Sequence, residues 1–254
     1  MMNYSTIGNG QPLVLIHGFG EDSRIWEQQV EVLQLSCRLV IPDLPGAGKS
    51  PLTLPLSIDS MADGILAILD KEKIEKAIII GHSMGGYITL AFAEKYPGRL
   101  KGFGLIHSTA YADNPVKKEA RLKNIEFIRQ HGSATFLAST FPNLFALKNR
   151  SAMVKTIENL ACSNAYIPSA ALIAFTEAMM ARPDRREILR NIKIPVLFIV
   201  GQEDQAVPFA DSMQQVYLPD LSYIHILKQS GHMGMLEENE KCTQAILQFV
   251  QMVR

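Results

Sequence analysis

The run Ala77-Ile78-Ile79-Ile80 passes without a spacer into Gly81-His82-Ser83-Met84-Gly85-Gly86. An apolar, mostly β-branched run reads as a buried strand. The segment Met84–Lys95 reads as a helix. No residues are left over for a loop, so the chain must reverse within the turn itself. Such a turn holds its central residue, Ser83, at strained backbone angles and admits only small side chains two positions to either side. Gly81 and Gly85 meet that demand. The serine hydroxyl is thereby displayed at the carboxyl end of a strand, where a ligand can reach it.

A Gly-x-Ser-x-Gly match occurs by chance in roughly one chain in ten or twenty of this length, so the downstream residues must supply the specificity. Pro195-Val196-Leu197-Phe198-Ile199-Val200-Gly201 reads as a second buried strand, with Asp204 just past its end and Val207-Pro208 following. Ser222 to Lys228 reads as a third, ending in Gln229-Ser230-Gly231-His232. Asp204 and His232 are thus expected on loops at the rim that presents Ser83. A serine hydroxyl is a weak nucleophile at neutral pH; it needs a base within hydrogen-bond reach and an acid to orient that base. The order Ser83, Asp204, His232 supplies both. Glu203 is the adjacent rival for the acid, and Asp204 is favoured. Upstream, Leu13–His17 reads as a strand leading into Gly18-Phe19-Gly20. The backbone N–H groups of Phe19 and of Met84, the residue after the nucleophile, are the candidate oxyanion hole.

Taken with Asp43-Leu44-Pro45-Gly46-Ala47-Gly48-Lys49-Ser50 and Gly231-His232, these motifs span residues 13 to 232. On them the chain resembles the α/β-hydrolase superfamily, of the serine esterase or lipase-like type with a helical cap. The resemblance implies an α/β fold: a mostly parallel central sheet, helices on both faces, and an all-helical cap inserted between strands 6 and 7. It implies catalytic Ser83, Asp204 and His232, an oxyanion hole at Phe19 and Met84, and neither a cofactor nor a metal.

The pattern along the chain agrees with that architecture. Strands are expected at Leu13–His17, Arg38–Pro42, Lys76–Gly81 and Leu100–His107, with helices at Ser23–Leu35, Ile58–Lys71 and Met84–Lys95 between them. Apolar residues at Ile58, Met61, Ala62, Ile65, Leu66 and Leu69 form one helix face behind a Ser57 N-cap. Alternation of strand and helix implies a parallel sheet covered on both sides. From Thr109 to Arg190 the pattern changes to four helical segments, Asn114–Gln130, Ser133–Ser139, Ser151–Ser163 and Ser169–Arg182, punctuated by Pro142, Pro168 and Pro183. The expected division is a core of 1–108 and 191–254 with a cap of 109–190, the chain closing on a helix at Asn239–Val253.

Net charge is zero and no long basic run exists, which argues against a nucleic-acid partner. No apolar run approaches the length of a membrane span, and the segment Met1 to Thr6 lacks the pattern of a secretory signal. Cys37, Cys162 and Cys242 are scattered without metal-ligand spacing. A cytoplasmic monomer or homodimer is expected. Gly46-Ala47-Gly48-Lys49-Ser50 mimics the end of a phosphate-binding loop, but residue 43 is Asp and Pro45 removes an N–H, so it reads as a turn. His17 reads as a brace of the oxyanion loop and His82 as a neighbour of the elbow. His107 reads as structural on the active rim, and His131 and His225 as bystanders. Phe141, Phe145, Phe175, Met179 and Met180 are expected to form the cap core, with one or two lining the pocket. The expected activity is hydrolysis of a small or medium, apolar carboxylic ester through an acyl-enzyme. C–C bond hydrolysis, lyase or perhydrolase chemistry with the same triad stays open. A ligand receptor on the same fold is the third reading, disfavoured by the intact triad.

Overall fold

The computed structural model describes residues 2–253; Met1 and Arg254, the outer ends of the expected core segments, lie outside the described residues. The strands are β1 (Tyr4–Ile7), β2 (Gln11–Ile16), β3 (Cys37–Pro42), β4 (Ala77–His82), β5 (Leu100–Ile106), β6 (Val196–Gly201) and β7 (Ser222–Leu227). The helices are α1 (Glu27–Leu33), α2 (Ile58–Lys71), α3 (Met84–Lys95), α4 (Pro115–Thr140), α5 (Val154–Asn164), α6 (Ser169–Ala181), α7 (Arg186–Asn191), α8 (Phe209–Met213), α9 (Gly234–Glu237) and α10 (Asn239–Met252).

Among the described residues the strands form one seven-stranded sheet in the order β1-β3-β2-β4-β5-β6-β7. Only β1 runs antiparallel to its neighbour. Every residue of β4 and β6 is buried, whereas the edge strands β1 and β7 are partly exposed. Central parallel strands carry helices on both faces and must be apolar throughout; edge strands need not be. That asymmetry explains why Tyr4-Ser5-Thr6-Ile7 carries no strand signal in the sequence: the strand is short, polar and at an edge.

α2 begins at Ser57, whose side chain accepts from the Ser60 N–H while the Ser60 hydroxyl accepts from the Ser57 N–H, a capping box that fixes the helix start. Its buried face is Ile58, Met61, Ala62, Ile65, Ile68 and Leu69. Leu66 packs at the margin, and Ile68 takes the inward place.

Helices α4 to α7 separate β5 from β6, so the helical insertion follows the fifth strand of this sheet and not the sixth as expected. The two expected helices Asn114–Gln130 and Ser133–Ser139 both lie within α4, which is two helical segments meeting at a kink where Gly132 leaves the helical region (φ 81°, ψ 167°). That backbone region is open to glycine almost alone. The ends of the insertion are stitched together where they leave the sheet. The Arg185 N–H donates to the Ala110 carbonyl at 2.8 Å, and buried Gln215 receives the Ala110 N–H and donates to the Ser108 carbonyl. The Arg185 guanidinium ties the same corner to Asp59 on α2 and Glu94 on α3. No helix among the described residues is long and apolar enough to cross a membrane.

Candidate active site

Ser83 joins β4 directly to α3, with φ 50° and ψ −113°, far outside the ordinary wells of an L-residue. The surroundings hold it there. Its N–H donates to the Ile106 carbonyl at 2.9 Å, and its own carbonyl accepts from Ser108 Oγ at 2.7 Å and from the Gly86 N–H at 2.9 Å. A Cβ on Gly81 would overlap the Gly85 carbonyl, and one on Gly85 would overlap the Ile16 carbonyl. The two glycines therefore let β4, β2 and α3 meet closely enough to force the turn. Met84 is the first residue of α3, so its N–H has no carbonyl one turn behind it. The positive end of that helix dipole lies at the serine.

Ser83 Oγ lies 2.8 Å from His232 Nε2, and His232 Nδ1 lies 2.8 Å from Asp204 Oδ2. Three side chains separated by 149 and 28 positions thus form one hydrogen-bonded line. Asp204 Oδ1 accepts from the N–H groups of Ala206 and Val207. Burial alone would push the Asp204 carboxyl up, but His232 and His107 beside it hold it well below the usual carboxylate range. Burial alone would push the His232 imidazole down; the Asp204 charge and hydrogen bond outweigh it and leave its pKa raised. The rival Glu203 is exposed and faces Lys148 instead, 3.4 Å away.

The other histidines sort by proton bookkeeping. His17 Nε2 accepts from the Leu44 N–H, so Nδ1 carries the proton and donates to the Gly18 carbonyl, which braces the glycine-rich loop. His82 sits under the site. Its Nε2 is 3.0 Å from the His232 carbonyl and its Nδ1 is 3.0 Å from Glu21 Oε2. Glu21 is fully buried, also accepts the Gly18 N–H at 2.7 Å, and lines the same cavity as Ser83. Sequence reasoning missed Glu21. No spacing marks it, because its partner His82 is 61 positions away. His131 is exposed and His225 half-buried on edge strand β7, both away from the serine. The Gly46–Ser50 segment folds around the Asp43 carboxylate, which accepts from the N–H groups of Lys49 and Ser23. An anion already supplied by the chain fills the place where a phosphate would sit.

His107, Asp204 and His232 bring three possible metal-donor atoms within 4.8 Å of one another. Asp204 is nevertheless the hub of protonated donors. His232 Nδ1 faces it at hydrogen-bond distance, and His107 Nε2 is already engaged by the Gly234 N–H. The cluster is a hydrogen-bond centre.

Ser83 and His232 open into a cavity of about 210 Å³. Phe19, Phe136, Leu137, Phe141, Leu144 and Met179 give it apolar walls, and Arg121 and Asn124 add a polar margin. Of the expected aromatic and methionine candidates, Phe141 and Met179 reach the cavity. Phe175 instead meets the Phe19 ring edge to face, with centroids 6.5 Å apart. Arg121 is held by Asp113, which also pairs with buried Arg182.

A model of the α/β-hydrolase fold family matches residues 11–239. The chain belongs to that family. This α/β-hydrolase is 29% identical over 250 residues to 3-oxoadipate enol-lactonase 1 of Acinetobacter baylyi, a match that covers 97% of the chain and 91% of the relative. It is 27% identical to a 2-hydroxy-6-oxononadienedioate/2-hydroxy-6-oxononatrienedioate hydrolase of Paraburkholderia phymatum, covering 98% and 90%. Among solved structures, a thermophilic esterase of Thermogutta terrifontis with malate bound superposes with a TM-score of 0.94 at 30% identity, covering 99% and 93%.

Proposed function

We propose that this hydrolase cleaves small or medium carboxylic esters through an acyl-enzyme, with Ser83 as nucleophile, His232 as general base and acid, and Asp204 as the orienting carboxylate. The observation that carries the reading is the unbroken line Ser83 Oγ–His232–Asp204, with both links at 2.8 Å, opening into an apolar cavity. Similarity to an enol-lactonase and to an esterase supports action on ester bonds.

Ser83 Oγ attacks the ester carbonyl carbon while its proton passes to His232 Nε2. The negative oxygen of the tetrahedral adduct takes hydrogen bonds from the N–H groups of Phe19 and Met84, each donor worth roughly 3 kcal/mol of barrier. Collapse expels the alcohol, which receives the proton back from His232, and leaves the acyl group on Ser83. Water then repeats the attack with His232 as base, releasing the acid and the free hydroxyl. Asp204 remains ionised throughout and steadies the transient imidazolium. In this reading residues 109–190 act as a cap over a core of the remaining chain, and Phe136, Phe141 and Met179 are its contribution to the acyl site.

A cavity of about 210 Å³ lies below the roughly 300–1,000 Å³ of sites for drug-sized ligands, which favours short acyl groups. Arg121 at the margin favours a second reading, C–C hydrolysis of a substrate carrying a carboxylate, as the similarity to a dienedioate hydrolase suggests. A fluorophosphonate probe tests the first reading. It labels Ser83 in the wild type and not in Ser83→Ala; a wild type left unlabelled at neutral pH overturns it. Turnover of p-nitrophenyl acetate or butyrate, with none of vinylogous diketones, separates ester from C–C cleavage.

A further inference from the structure

We propose that His107 is a positioning residue of this site: its ring holds a permanent N–H donor against the same Asp204 oxygen that receives His232, and so sets how strongly Asp204 draws on the catalytic imidazole. The proposal rests on the triad reading above and adds to it a fourth side chain.

The proton inventory fixes the tautomer. His107 is fully buried just past the end of β5, with its own N–H on the Ile199 carbonyl at 2.9 Å. Its Nε2 lies 3.1 Å from the Gly234 N–H. A backbone N–H can only donate, so Nε2 is the bare nitrogen and Nδ1 carries the hydrogen. Nδ1 lies 3.3 Å from Asp204 Oδ2, at ion-pair distance but outside hydrogen-bond geometry, and among the described residues no hydrogen-bond acceptor reaches it. Burial pushes the His107 imidazole down to about 4, so the ring stays neutral and the donor stays loaded across the working pH range.

The backbone is shaped for this placement. His107 adopts φ 48°, the left-handed region that a histidine rarely takes. Two glycines clear the slot for its ring. A Cβ on Gly234 would overlap His107 Nε2, and one on Gly201 would come within 3.0 Å of Cε1. Gly201 ends the strand that carries Asp204, and Gly234 follows His232 by two positions. The elements that deliver the acid and the base both leave room for this ring. His107 does not line the substrate cavity, so it acts through Asp204 alone.

An N–H facing Oδ2 from 3.3 Å lowers the negative potential that Asp204 presents to His232 and tempers the basicity that Asp204 confers. The other charged or titratable groups facing this cluster are Glu21 and His82 beneath His232, and Glu237 on α9. All three stay in place when His107 is changed. Without the donor, Asp204 concentrates its charge on His232, and the imidazole keeps its proton to higher pH.

The experiment measures kcat and kcat/KM against pH with p-nitrophenyl butyrate for the wild type, His107→Leu and His107→Asn, with melting temperatures alongside. In His107→Leu the acid limb moves up by about half a pH unit or more, kcat on the plateau falls about tenfold, and KM stays within about twofold. Asparagine tolerates the left-handed backbone and carries an amide N–H where Nδ1 was, so His107→Asn returns the limb and most of kcat. A limb that stays in place in His107→Leu overturns the proposal, as does a His107→Asn variant no better than His107→Leu. Nitrogen-15 NMR of histidine-labelled wild type gives the check that needs no variant. His107 reads as the neutral Nδ1–H tautomer from pH 5 to 8; an Nε2–H ring or an imidazolium at pH 7 overturns the proposal. Full activity in Ser83→Ala or Asp204→Asn would instead overturn the triad reading itself, so the two failures are separate.

Discussion

The rim of the sheet around Ser83 and the helical insertion above it are built to opposite tolerances. At the rim, Gly81, Gly85, Gly201 and Gly234 each abut backbone or a functional ring with no room for one carbon. In the insertion, Gly132 has a positive φ, which none of those four has, yet a Cβ there would meet nothing within 4 Å. The rim is closed on all sides because proton transfer requires atoms held within tenths of an ångström. The insertion mainly has to present apolar side chains to a cavity, which many helical arrangements can do. In the proposed mechanism the chemistry falls to the rim and the substrate choice to the insertion.

The two regions meet at the base. The His232 N–H donates to the Leu144 carbonyl at 2.7 Å. Glu237 accepts from the Gly231 N–H and from the Ala146 N–H, each at 2.8 Å. The loop that carries His232 is therefore held partly by the insertion, so the separation between the two regions is incomplete at that point.

The largest expected effect breaks the rim chemically. Ser83→Ala lowers kcat by roughly 10⁴-fold or more, read by ester turnover, while the melting temperature stays near or above that of the wild type because the strained position loses nothing it needs. Gly85→Ala breaks the rim sterically. The methyl group meets the Ile16 carbonyl, and stability falls by about 3 kcal/mol or more in denaturant unfolding. Gly132→Ala, in open space but at a left-handed backbone angle that Gly85 does not share, costs about 1–2 kcal/mol and leaves kcat within a fewfold. Equal losses at the two glycines would erase the distinction between the regions.

Changes in pH sharpen it further. In the proposed mechanism His232 works as a base only when neutral, and its pKa is raised, so kcat/KM is expected to fall as pH drops through a value above the ordinary histidine value of about 6.5. Stability follows the other groups. His107, with its pKa depressed to about 4, contributes stability that is complete above the unfolded value and lost between about 6.5 and 4 as the unfolded chain takes up the proton first. Asp204, also depressed, adds a loss below about pH 4. His232 has the opposite sign, since its raised pKa makes the folded chain bind a proton first. A melting temperature that rose steadily from pH 7 to pH 4 would contradict this assignment. The smallest effect belongs to the insertion. Phe141→Ala enlarges the cavity and shifts the preference from acetate and butyrate toward octanoate esters by a modest factor, read as a ratio of kcat/KM values.

Most of the fold was legible because its signals are local. α2 and α3 begin and end where apolar spacing and capping place them, and the buried strands β4 and β6 announce themselves as unbroken apolar runs. β1 was not legible, since an edge strand with only partly buried residues has no pattern to show. The break between two helices at Gly132 was legible, because a glycine there lets the backbone leave the helical region.

Within the site, Ser83, Asp204 and His232 could be named from order and context because each lies at the end of a readable strand. Glu21 and the tautomer of His107 could not, as both depend on partners far along the chain: His82, Asp204 and Gly234. Residue order alone marks where the chain must turn sharply, which strands are central, and which three groups carry nucleophile, acid and base chemistry in the order Ser83, Asp204, His232. Which imidazole nitrogen faces a donor, which carboxylate each ring faces, and which insertion side chains line the cavity at Ser83 emerge with the folded arrangement alone. Turns and periodicity arise from residues a few bonds apart, whereas protonation and contact arise from groups that the fold alone brings within 3 Å.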